Sequence, residues 1–212
     1  GMQEVYGEKK DEKQKISLKV LSLVAPLRFG LVNPGISRGA YPTLQNYRHL
    51  SRLQLKTIIS MTAEPPVEDL KQFIASIGAR SVHCAISRSI SFTDPSLVST
   101  LIPCINICID PANHPIYIHC LDGRKITSLL VLLIRRLQGW TPYAALAEFW
   151  RHQLLFRSPI LAAEIEKTTK ELEFLAGDLN DIALPESIPK WLWGGDKSVT
   201  VAGVRFVNRS VK

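Results

Sequence analysis

The chain has 212 residues, 46% of them hydrophobic and 21% charged, which describes one globular domain with a real core and room for tails. Lys and Arg number 26 against 19 acids, a formal charge of +7. Much of the charge sits in mixed-sign segments such as Gly7–Lys15, and no basic run is interleaved with aromatics, so nucleic acid is not the expected partner. The longest apolar run, Leu129–Ile134, is far too short to cross a bilayer, and the N-terminus carries no charged-then-apolar signal pattern. No membrane association and a cytoplasmic location are therefore expected. Gly1 before Met2 reads as the remnant of a cleaved tag.

Residues 1–18 read as a polar tail, 19–178 as the folded domain and 179–212 as a C-terminal extension. Pro26, Pro34, Gly35 and Pro42 break the first part of the domain into turns and short extended pieces. Leu44–Leu53 is a short helix. Lys56–Met61 is a buried strand. Val67, Leu70, Phe73, Ile74 and Ile77 recur at spacings of three and four, which makes 67–77 an amphipathic helix that Gly78 ends. Arg80–Ile86 is a second strand. Asp94-Pro95 opens a helix through Leu97, Leu101, Ile105 and Ile109, which Pro103 should kink or split. Pro115–His119 is a third strand. From Arg124 or Lys125 to Gln138 the chain is apolar nearly all round, as in a central buried helix. Helices over 141–153 and 159–175 follow, then an irregular Pro- and Trp-rich stretch and a hairpin-like alternation over 198–207. Strands alternating with helices indicate an α/β sandwich with a central mixed or parallel sheet flanked by helices.

Four cysteines, Cys84, Cys104, Cys108 and Cys120, read as free thiols. Cys104 and Cys108 share a helix face, but no CxxC or HxxxH completes a zinc site, so no metal or other cofactor is expected. The chemistry concentrates in Ile116–Ser128. There a buried strand runs into Cys120, then a short glycine-containing loop, then a buried helix. Loop and helix N–H groups converge on one point and favour an anion there. A cysteine in the same field is biased toward thiolate, a nucleophile placed for phosphoryl transfer.

His119, Cys120, Gly123 and Thr127 match the His-Cys-x-x-Gly-x-x-Arg-Ser/Thr-Gly signature. Pro26–Gly30, Pro34–Pro42, Leu53–Ser60, Glu64-Pro65, Gly139-Trp140 and Glu148–Trp150 agree with it in order. Over roughly residues 25–178 the sequence resembles the plant and fungal atypical dual-specificity phosphatases, including the fungal oxidant-induced cell-cycle-arrest branch. The resemblance implies a dual-specificity phosphatase fold and activity on phosphotyrosine-type substrates and inositol pyrophosphates. It implies Cys120 as nucleophile, with Leu121, Asp122, Gly123, Arg124, Lys125 and Ile126 as the phosphate loop. His119, Thr127 and Arg38 would support that loop.

The pattern breaks where the family arginine should stand. That position is Ile126, and the glycine two further on is Ser128. Isoleucine cannot supply the arginine's two-pronged contact to phosphate, and a lost charge-stabilising donor costs ~10²–10³ in rate. Arg124 or Lys125 would have to compensate from the loop rim, beside the repelling charge of Asp122. The general acid is assigned to Asp94, for which a helix cap before Pro95 is the competing role. Arg38 is read as bracing the site or as part of a structural ion pair. Arg88 either lines the pocket or is an exposed loop residue. Trp191 and Trp193 either anchor a partner or pack the extension onto the domain. Two functions stand against each other. One is a pseudophosphatase that binds a phosphorylated ligand (inositol pyrophosphate or phosphoprotein) or related phosphatase-family subunits. The other is an active phosphatase working through a Cys120 phosphocysteine.

Overall fold

A computed structural model describes residues 22–154, 162–175, 182, 185–192, 198–201 and 204–207. The sequence-predicted tail, residues 19–21, and half of the C-terminal extension, Trp193 included, lie outside the described residues. Five strands, β1 (Gly30–Asn33), β2 (Ile36–Ala40), β3 (Thr57–Thr62), β4 (Arg80–Ala85) and β5 (Ile116–Cys120), form one sheet in the order β1-β2-β5-β3-β4. Only the β1–β2 hairpin is antiparallel; β2, β5, β3 and β4 run parallel. The short extended pieces after Pro26 are thus an edge hairpin whose second strand joins the parallel core.

Side-chain alternation along the strands divides the interior in two. On one face Ile58 and Tyr117 pack with Leu50 of α1 (Leu44–Ser51) and with Leu70, Phe73 and Ile74 of α2 (Glu68–Ser76). On the other, Ile36, Ile59, Ile116 and Ile118 meet α3 (Ser96–Ile109), α4 (Lys125–Leu137) and α5 (Pro142–Leu154). Helix α6 (Ala162–Leu175) follows, with Leu172 fully buried in the same cluster. β5 lies at the sheet's centre, and all five of its residues are buried. Nearly every residue of α4 is buried too, as its all-round apolar sequence requires. The last two strands, β6 (Ser198–Val201) and β7 (Val204–Val207), pair as an antiparallel hairpin.

Pro103 does not split its helix: α3 is continuous across it. The ring removes the bond that Ser99's carbonyl would accept, but Pro103 and Ser99 both lie on the exposed side of the helix, so the lost bond falls outside the packed face. Trp191 packs against the core, stacks on His114 at 6.5 Å and offers its carbonyl to Gln138, so it holds the extension to the domain. A buried brace ties α4 to α5 and to the β1–β2 hairpin. Arg135 makes two hydrogen bonds to Glu148, at 2.6 and 3.0 Å, and others to Asn33 and the Val32 carbonyl.

Candidate active site

Parallel strands collect ligand sites beyond their C-terminal ends. A cavity of about 430 Å³ opens there, walled by Met61 and Thr62 at the end of β3, by Ile86–Ser89 after β4, and by Cys120, Leu121, Asp122, Lys125 and Ile126. Cys120 ends β5 on the face of Ile116 and Ile118 and is buried at the base of the cavity. The chain then turns through residues 121–124 into α4. Gly123 sits at φ +69° against the end of β2, where a Cβ would come within 2.7–2.8 Å of the Gly39 and Ala40 backbone. Only glycine fits both constraints.

His119 points to the opposite face. Its ring meets Ser60 Oγ at 2.8 Å across the β3–β5 pair and touches Tyr41 edge-on. Complete burial lowers its pKa to about 4, so it is a neutral structural group. Arg38 is the neighbour of Ile118 on β2 and shares Cys120's face. Its Nη2 donates to the Gly123 carbonyl at 2.9 Å and to Ser128 Oγ at 2.7 Å, which fastens the loop to the first turn of α4. Burial holds its pKa down to about 10. Arg38 thus braces the loop rather than joining an ion pair. Ser128, a departure in the sequence pattern, is its acceptor. Gly39 has a local reason as well, since a Cβ there would lie 2.3 Å from the Tyr117 hydroxyl.

Ile126 is 2% exposed and forms part of the cavity wall. Neither neighbouring cation takes its place. Arg124 turns away to donate to the Gln153 carbonyl at 2.8 Å. Lys125 borders the cavity but its ammonium bonds the Ile90 carbonyl and lies 4.7 Å over the Phe92 ring. Thr127 is buried, and its hydroxyl has no hydrogen-bond partner among the described residues. Asp94 is not among the residues lining the cavity. Its carboxylate accepts from the Ser96 N–H and hydroxyl at 2.9 and 2.6 Å, bonds that lower its pKa. The structure gives Asp94 the capping geometry, outside the lining of the cavity that holds Cys120. Arg88 is both things the sequence allowed: its side chain is 67% exposed and it borders the cavity, 3.2 Å from Asp122.

Sequence reasoning missed Arg28. It stands at φ +56° and donates to the Asp122 carbonyl at 2.7 Å, clamping the loop one residue before the carbonyl that Arg38 holds. It lies in the Pro26–Gly30 stretch that carried the resemblance, which was its one signal. Among the described residues no group of three or more His, Cys, Asp or Glu side chains is placed to hold a metal ion, and no helix is long and apolar enough to cross a membrane.

The profile of the tyrosine phosphatase family matches residues 23–175. The chain belongs to that family. A Saccharomyces cerevisiae relative named as a tyrosine-protein phosphatase, OCA6, is 30% identical over 189 residues, covering 81% of this chain and 80% of that protein. The inositol diphosphatase DSP5 of Arabidopsis thaliana is 32% identical over 127 residues, 60% of this chain and 62% of DSP5. Among solved structures, the core catalytic domain of the S. cerevisiae PP-IP phosphatase Siw14 superposes with a TM-score of 0.61 at 26% identity, covering 73% of this chain and 86% of that domain. The α/β fold is that of this phosphatase core, and the plant and fungal resemblance is upheld.

Proposed function

We propose that this chain is a phosphatase-family protein without robust hydrolysis, which recognises a phosphorylated small molecule of the inositol pyrophosphate class. The observation that carries the reading is Ile126. A buried aliphatic side chain stands six residues after Cys120, and both adjacent cations are tied to backbone carbonyls. A phosphoryl group at Cys120 would lack the fork that neutralises charge developing in the transfer. Binding needs less than transfer. The strand–loop–helix frame, the two arginine clamps and the cationic rim residues Arg88 and Lys125 support retained recognition, and the inositol diphosphatase relatives support the ligand class. The free cysteines support a reducing, cytoplasmic setting.

The test pairs turnover with binding. Activity on p-nitrophenyl phosphate is expected at least ~10²-fold below an active relative. Saturable binding of inositol polyphosphate by titration calorimetry is expected alongside it. Turnover equal to an active relative and abolished by Cys120→Ser would establish the alternative, a phosphocysteine-forming enzyme. Binding of no anion at all would leave a scaffold that assembles with related subunits.

A further inference from the structure

We propose that the carboxylate of Asp122 occupies the anion seat of the loop and so acts as the specificity-determining residue of the Cys120 cavity. The proposal rests on the anion-recognition reading above. Asp122 Oδ1 accepts from the Arg124 N–H at 3.0 Å and lies 3.7 Å from Cys120 Sγ, within reach of the thiol. Its second oxygen faces Arg88 Nη2 at 3.2 Å, while its own carbonyl is held by Arg28. A loop N–H and a rim guanidinium are donors that a bound phosphate would use. Here two oxygens of the chain's own side chain take them, against the cavity wall and beside the thiol.

The arrangement is held from the backbone rather than by the exposed ion pair. Arg88 is largely in solvent and contributes little. The Arg124 N–H and the Arg28 clamp fix the loop around Asp122 whatever Arg88 does. An incoming phosphate must therefore displace a carboxylate and approach its negative charge at close range, in a site screened less than bulk water. Removing that charge while keeping the side chain's shape lifts the repulsion, and removing the side chain altogether also opens the seat.

Asp122→Asn retains the acceptor for the Arg124 N–H, and Asp122→Ala removes the side chain outright. Binding of inorganic phosphate and of vanadate is measured by calorimetry for the wild type and both variants, each shown to be folded by thermal melt. Both variants are expected to bind at least about tenfold more tightly, since a like charge within ~4–6 Å disfavours an anion strongly. A second readout needs no phosphate. The rate at which Cys120 is alkylated by anionic iodoacetate, relative to neutral iodoacetamide, is followed by mass spectrometry of the Cys120 peptide. The ratio is expected to rise in either variant. Wild-type binding that Asp122→Asn and Asp122→Ala leave unchanged, with an unchanged alkylation ratio, overturns the proposal and leaves the anion-recognition reading intact. Absence of anion binding in all three proteins overturns both.

Discussion

Restoring the missing arginine has a cost that the structure locates at Ser128. By signature alone, Ile126→Arg with Ser128→Gly rebuilds the phosphate loop. But Ser128 Oγ is one of two acceptors for Arg38 Nη2, and Nε and Nη1 of that 1%-exposed guanidinium have no hydrogen-bond partner among the described residues. Losing a hydrogen bond to a buried charged group costs about 1.5–3 kcal/mol. In a domain of this size, where 1 kcal/mol moves Tm by ~2–4 °C, that is a drop of about 3–12 °C. The single variant Ile126→Arg places a cation where a core side chain sits. It is the less damaging of the two, because Ile126 borders the cavity and the new side chain has space to enter. The assay is a thermal melt of wild type, Ile126→Arg and the double variant, with and without phosphate. The double variant should melt below the single one by that margin. The single variant should regain the more stability with ligand, since saturation at 100 Kd adds about 2.7 kcal/mol. A double variant as stable as Ile126→Arg would refute the reasoning and make the Arg38–Ser128 bond energetically idle.

Gly123→Ala should strain the loop by on the order of 1–3 kcal/mol from its positive φ alone, with more from collision against the β2 backbone, and should abolish anion binding measured by calorimetry. Arg135→Ala should cost about 3–5 kcal/mol in denaturant unfolding by stranding Glu148, whose side chain is only 14% exposed, and Arg135→Lys should recover little because lysine lacks the paired donors. His119 has a folded pKa of about 4 against an unfolded value near 6.5, so its contribution is full above pH 6.5 and is lost as pH falls toward 4. That loss amounts to roughly 3 kcal/mol at 1.36 kcal/mol per unit. His152 shifts the same way, so the check is the difference in acid sensitivity between wild type and His119→Gln, which should lose the His119 part alone.

The order of the elements, the buried central strand ending at Cys120 and the buried helix after it are local facts, and the sequence by itself determined them. Each follows from apolar periodicity, from caps such as Asp94, or from glycines at turns. The vacancy at 126 was equally legible, because an isoleucine cannot become a forked cation in any fold. What only the tertiary structure decided was where the charges point. Arg38 lies 82 residues before Cys120 in the chain, yet parallel pairing of β2 with β5 sets it on the same face beneath the loop. Arg28 reaches Asp122 across a separation of 94 residues. Arg124 and Lys125 stand inside the loop and still turn away from the cysteine, to carbonyls of Gln153 and Ile90 that no local pattern brings near. Ser128 looked like a defect in the signature and became an acceptor for a buried guanidinium. Helices and strands arise from interactions between residues a few positions apart. A site's electrostatics arise from charges that only strand order and packing bring within reach, and that is why the loop's position was readable from the sequence while its partners were not.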